Sequence, residues 1–321
     1  MDPKTLNALV HDREAEFYDD RFLIEYGTIA GEVTRELQGV LGSVPRARRA
    51  LDVACGTGYL AIGIAAAGIA SEVHATDLSP KMIERTRENA AETDTEVRAT
   101  LADGERLPYA DASFDLVVAR GALHHLPAPL AGLKEIRRVL EPGGTALVMA
   151  EPTPNGERQT AAVVGVAVRA LEGARTLMRR TPDLERRHWE LASIAANLHT
   201  FEPHDVEALA EKAGFEDITV ETSAWAWILA LGLNYYLVGE FERAARLGVA
   251  KRAARAFVGA AKVFDLAVAD RIVPPAWRHT VQAVVRSPSA SRGTAAMFRS
   301  HGTSPPAQRP TSCSRTAPAG T

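Results

Sequence analysis

Cysteine is nearly absent from this chain. Only Cys55 and Cys313 occur among 321 residues, so no disulfide framework is expected and the usage fits a reducing cytoplasm. A dominant charge is missing too. The 37 Lys and Arg residues against 40 Asp and Glu leave a formal charge of −3, too balanced to favour nucleic acid. No uninterrupted apolar run reaches the roughly twenty residues that a bilayer span needs. The opening Met1-Asp2-Pro3-Lys4-Thr5-Leu6 lacks a charged-then-apolar leader pattern. These absences predict a cytoplasmic chain, soluble or peripheral to a membrane. After Ser287 acidic residues vanish and Ser, Pro, Thr, Ala and Arg dominate, so residues 287–321 are expected to be a disordered tail. Its arginines, Arg292, Arg299, Arg309 and Arg315, leave open a role at an anionic surface beside that of an inert end.

What is present is concentrated in Leu51-Asp52-Val53-Ala54-Cys55-Gly56-Thr57-Gly58-Tyr59. A short apolar strand enters a Gly-Thr-Gly turn, and an apolar helix follows from Tyr59. Glycine permits the sharp turn and the close approach of a ligand. Asp77 ends the next strand, Glu72–Asp77, the usual place for a carboxylate that binds ribose hydroxyls. The unit therefore reads as a nucleoside-binding βαβ. The loop also satisfies a loose dinucleotide pattern, which leaves NAD open. Three features favour S-adenosyl-L-methionine. Asp52 precedes the first glycine from inside its strand, where it can order the loop and favour an ammonium-bearing ligand. Ala102-Asp103-Gly104 ends a third strand, where an acid can accept from an adenine amine. Ser113–Arg120 forms a fourth strand, closed by Gly121-Ala122-Leu123-His124-His125-Leu126.

These segments, with Asp77-Leu78-Ser79, Leu107-Pro108-Tyr109 and Arg138-Val139-Leu140-Glu141-Pro142-Gly143-Gly144, resemble a class I methyltransferase. The resemblance covers residues 45–151 and is nearest to the branch of ubiquinone and menaquinone biosynthesis C-methyltransferases. It implies an α/β, Rossmann-like sheet of seven strands, mostly parallel, whose last strand runs antiparallel beside the fifth. It also implies S-adenosyl-L-methionine as methyl donor. The cofactor set is then Asp52, Ala54, Cys55, Gly56, Thr57, Gly58, Asp77, Leu78, Met82, Ala102, Asp103, Gly104, Arg120 and Gly121. Tyr18 resembles the aromatic of an N-terminal helix that closes over the donor, so residues 1–44 are expected to cover the site; simple surface packing is the other reading. Met82 could equally be a core methionine. The branch methylates quinone precursors, sterols, sugars and natural products, so a small-molecule acceptor follows, by C- or O-methylation. A polyketide or sugar O-methyltransferase and a non-catalytic cofactor-binding relative stay open.

Strand five ends at Glu151, yet the next regular helix starts near Pro203; strand six is placed at Asp217–Thr222 and strand seven at Thr280–Arg286. Two insertions, 152–202 and 225–279, therefore interrupt a methyltransferase domain spanning 45–286. Both leave from the carboxyl ends of strands, where ligands of open α/β sheets bind, and predict a helical cap over the donor site. Ala224–Val238 is apolar nearly all round, and the basic stretch after it carries Arg243, Arg246, Lys251, Arg252, Arg255 and Lys262. Residues 225–264 thus suit a packed cap helix with a solvated basic face, an apolar substrate pocket, or a peripheral membrane contact.

For chemistry, an oxygen or acidic carbon acceptor needs a proton removed. His124 and His125, just past strand four, are candidate bases, and Glu151 is their rival. Metal-dependent relatives place carboxylates where this chain has Ala119-Arg120-Gly121-Ala122, so no metal is expected. Sequence leaves the oligomeric state open.

Overall fold

The computed structural model describes residues 1–44, 46–177, 196–240 and 248–289. Seven strands form one sheet: β1 Ala47–Val53, β2 Ala70–Asp77, β3 Arg98–Leu101, β4 Phe114–Arg120, β5 Leu140–Pro152, β6 Glu216–Ser223 and β7 Thr280–Arg286. Their spatial order is β3-β2-β1-β4-β5-β7-β6. β7 runs antiparallel to both β5 and β6, and the other neighbours pair in parallel. The expected seven-stranded Rossmann-like sheet is therefore present, with the antiparallel strand between β5 and the edge. Strand boundaries differ modestly. β3 is short, and β5 starts at Leu140, which pairs with Phe114 across a bulge.

The helices described are α1 Pro3–Glu14, α2 Tyr18–Arg21, α3 Ile29–Leu41, α4 Tyr59–Ala66, α5 Pro80–Glu92, α6 Pro129–Val139, α7 Pro154–Leu177, α8 Pro203–Ala213, α9 Ala226–Glu240, α10 Gly248–Phe264 and α11 Asp270–Ile272. Local chemistry sets their ends. Asp2 accepts from the Thr5 amide at 3.0 Å with Pro3 next in line, which starts α1. Ser79 does the same for the Met82 amide of α5. Gly214, at φ +88°, stops α8 in the left-handed conformation that other residues avoid.

Two apolar layers sandwich the sheet. One joins Leu51, Phe114, Val117 and Val148 to α6 and α8 through Leu133, Ile136, Val206 and Phe215. The other joins Ala50, Val73, Leu116 and Leu147 to α3, α4 and α5 through Val33, Leu37, Ile62 and Ile83. Burying each such side chain contributes about 1.5–3 kcal/mol. Gly63 lets α4 lie directly on α3: a Cβ there would stand 2.3 Å from a Val33 methyl. The strands consequently end in register, and the loops after β1, β2 and β4 meet at one edge.

The described parts of both insertions are helical up to their short connections. α9 packs against α7, α10 and α2. The Trp225 indole donates to Gln159 of α7 at 3.1 Å, and Asn234 donates to the Arg21 carbonyl at 2.9 Å. Asp265, buried beyond α10, accepts from the amides of Trp225, Ala226 and Trp227 at 2.9–3.1 Å and so caps α9. Residues 178–195 and 241–247, with Arg243 and Arg246 of the basic stretch, lie outside the described residues. The tail from residue 290 onward lies outside them too. Ser287 corrects the expected tail boundary: it is buried, and its amide and carbonyl bond to Gly144 and Gly143.

Candidate active site

Backbone geometry builds the centre of the site. After β1, Ala54, Gly56 and Gly58 take φ of +56°, +55° and +93°, a reversal that aims the loop's amides back toward the end of β2. Asp77 receives them there. One of its oxygens accepts from the Gly56 amide at 2.9 Å and the other from Ser79 at 2.9 Å. Asp52 holds the loop from behind, accepting from the Ala61 amide at 3.0 Å. Burial pushes the Asp52 carboxyl up to about 8, and burial also raises that of Asp77. Two desolvated acids under one glycine loop favour a ligand that brings positive charge or several hydrogen-bond donors.

A cleft opens at this edge. Its walls include Ala54 and Gly56 after β1, Asp77, Leu78 and Met82 after β2, Ala102, Asp103 and Gly104 after β3, Arg120 and Gly121 after β4, then His125 and, from the N-terminal segment, Tyr18. Tyr18 stands over the loop, its ring 3.6 Å from where a Gly56 Cβ would be. Met82 is both a core and a wall residue, at 1% exposure. Arg120 is fixed by Glu36, its Nε donating at 2.7 Å, while the Tyr59 hydroxyl donates to the other Glu36 oxygen. Burial opposes charge on both partners, yet each keeps the other ionised: Glu36 stays below the usual carboxylate range and Arg120 above its own.

Several expected site residues stand behind the cleft instead of in its wall. Cys55 is buried against Thr86. Thr57 donates to Asp19 at 2.6 Å, and its carbonyl accepts from the Tyr26 hydroxyl at 2.7 Å. Gly58 packs under Ile62 and Thr86. Asp52, as above, acts through the loop. These four support the loop rather than line the cleft.

Glu151 differs most from its expected role as a rival base. It is 0% exposed. Its oxygens accept from the amides of Ala122, Leu123 and His124 at 2.8–3.0 Å and meet His124 Nδ1 at 2.9 Å. With both oxygens committed to the turn after β4, it has no free face toward a substrate. His124, buried and tied to Glu151, belongs to the same brace. His125 is the one of the three in the cleft wall. Its Nδ1 meets the Ala196 carbonyl at 3.1 Å. A carbonyl only accepts, so Nδ1 carries the proton and Nε2 keeps its lone pair. Burial, then the neighbouring His124 and His11, hold the His125 pKa well below the usual imidazole range.

Helix α1 supplies residues that the sequence did not single out. Lys4 bridges Asp103 and Glu105 at 2.6 Å each. Asn7 donates to the His125 carbonyl at 3.1 Å, and the His11 ring meets that of His125 edge-on at 4.8 Å. Ala122, Leu126 and Pro127 complete the wall. The only local signal for α1 was its Asp2-Pro3 start, which announces a helix but not where it docks. Among the described residues, no group of three or more His, Cys, Asp or Glu side chains is placed to hold a metal ion.

Residues 50–144 match the model of a family described as methyltransferase domain. The match spans the glycine loop, both wall carboxylates and the turn after β4. Among relatives, a 27-O-demethylrifamycin SV methyltransferase of Amycolatopsis mediterranei is 35% identical over 44% of this chain and 52% of its own. A demethylmenaquinone methyltransferase of Deinococcus radiodurans is 37% identical over 33% of this chain and 44% of its own. The chain thus spans about half the length of the curated relatives it matches. The fold is also that of a phosphoethanolamine N-methyltransferase of Haemonchus contortus in complex with S-adenosyl-L-methionine. That match has a TM-score of 0.52 at 19% identity, over 81% of this chain and 53% of the other. Residues 50–144 thus match a methyltransferase-domain model, and the fold is shared with a methyltransferase solved with S-adenosyl-L-methionine.

Proposed function

We propose that this chain transfers a methyl group from S-adenosyl-L-methionine to a small, apolar acceptor. The observation that carries the reading is Asp77, which braces the Gly56 amide while presenting a desolvated carboxylate to the cleft. The cleft's chemistry fits such a donor. Asp77 would offer acceptor lone pairs to ribose hydroxyls, Asp103, paired with Lys4, would be the acid available to an adenine amine, and Leu78 with Met82 forms an apolar wall. The backbone at Gly56 and Gly121, both at positive φ, lets a ligand approach without a Cβ in the way. The bound donor would supply an already activated methyl group. The protein's share is to align the acceptor and exclude water. Residues 1–44, through Tyr18, Lys4, Asn7 and His11, would cover the donor. The described helices of the two insertions, α7 and α9 to α11, would cap the acceptor side.

His125 is the group to accept the acceptor's proton, since its Nε2 is unprotonated and the ring lines the cleft. Glu151 and His124 position it by holding the turn. The relatives' names include a rifamycin O-demethyl form and demethylmenaquinone, so a polyketide-type hydroxyl and a quinol ring carbon are the two acceptor chemistries to test. Incubating the protein with methyl-labelled donor and organic extracts should label an apolar product. His125→Gln should lower kcat about 100-fold or more with donor affinity unchanged. Donor binding without any labelled product across such extracts would favour the non-catalytic relative. Full activity in His125→Gln would remove the base assignment.

A further inference from the structure

Helix α10, continued through a π-helical stretch at Asp265–Ala269 into α11, is covered on one side only. Val258, Asp265 and Ala269 are buried, and Arg255 turns inward to pair with Glu25 and Glu32. The outer side presents Phe257 at 58% exposure, Val263 at 65%, Phe264 at 41%, Val268 at 39% and Ile272 at 69%. Exposed alanines at 253, 256, 260 and 267 lie between them. Trp277, 55% exposed, stands just beyond. Arg252 and Arg271 bound this strip, both exposed, and no described exposed side chain from Arg252 to Ile272 is acidic. A contiguous apolar strip of this kind marks a docking surface rather than ordinary scatter.

We propose that this face docks on an anionic lipid surface. An amphipathic helix lying in a bilayer interface buries its apolar side among the acyl chains and sets its cations against lipid phosphates, with tryptophan favoured at that depth. The strip has this composition along its length. The charges argue against a second copy of the chain: face-to-face pairing about a two-fold axis would bring arginine against arginine at both ends. The sequence had located a peripheral contact anywhere in 225–264. The structure moves it to 252–277, because the aromatic start of α9 is held between α7 and α10 and Trp225 is tied to Gln159.

The test is flotation of the full chain with phosphatidylcholine vesicles, with and without phosphatidylglycerol. Binding should appear with the anionic lipid, and a Phe257→Ser/Phe264→Ser/Ile272→Ser variant should lose it by about tenfold or more at an unchanged melting temperature. Arg252→Gln/Arg271→Gln, which leaves the apolar strip intact, should erase the preference for phosphatidylglycerol. Absence of binding to either vesicle overturns the proposal. So does a concentration-dependent dimer, in sedimentation of the wild type, that the serine variant dissolves; that result would assign the face to a second copy. The readout does not involve methyl transfer, so it stands or falls separately from the proposed activity.

Discussion

The sheet half and the cap half use the same device to different ends. In the sheet half Glu151, fully buried, ties the amides of Ala122, Leu123 and His124. In the cap Asp265 ties those of Trp225, Ala226 and Trp227. Behind Glu151 stand two extensive apolar layers. Among the described residues, the small apolar cluster beside α9 has Leu23, Ala230 and Val258 as its buried members. A carboxylate brace in a dense core fixes the turn after β4. The same brace beside fewer described apolar contacts would, under the proposed function, hold the helices over the acceptor side.

The sharpest way to break this comparison is to remove both braces. Glu151→Ala leaves three buried amides unpaired and should cost about 3–5 kcal/mol, read as a large fall in melting temperature. Asp265→Ala exposes half-buried amides that water can reach. It should cost about 1–2 kcal/mol and mainly raise the acceptor KM. Equal losses of global stability would show that the two halves do not differ in this way.

Glycine gives the next comparison. Gly63→Ala forces a Cβ to within 2.3 Å of a Val33 methyl and should destabilise by about 1–3 kcal/mol. At Gly259, in α10, nothing lies within 4 Å of where a Cβ would stand, so Gly259→Ala should stabilise by about 0.5–1 kcal/mol. Thermal unfolding of the two variants side by side decides it.

A pH dependence supplies a further comparison. With Asp52 held up to about 8, the folded protein keeps a proton there that the unfolded chain releases above about pH 4. Stability from this group is therefore full at acid pH and falls as pH rises toward 8. Asp52→Asn removes that titration, so its melting temperature should gain on the wild type between about pH 5 and pH 8. A constant offset would show that Asp52 is ionised throughout.

The sheet was legible because each strand had a local signature: Thr280–Arg286 alternates, and Asp52 and Asp77 bracket a glycine turn. The support role of Glu151 was not legible, because it depends on where the turn after β4 falls in space. Its position at a strand end suggested only an acid near the site. The docking of α1 was hidden for the same reason. Lys4 lies 99 residues from Asp103 in sequence, and no local pattern links them. Exposure of the outer face of α10 was also unreadable, since the alternation of alanine with Phe257 and Phe264 suits a buried helix equally well.

In the proposed function, Asp77 and the glycine loop hold S-adenosyl-L-methionine. Calorimetric titration of the wild type and of Asp77→Ala with that donor, its demethylated product and NAD tests it most directly. Donor and product should bind and NAD should not, and folded Asp77→Ala should lose affinity by about tenfold to a hundredfold. Unchanged donor affinity in that variant, or binding of NAD alone, would contradict it.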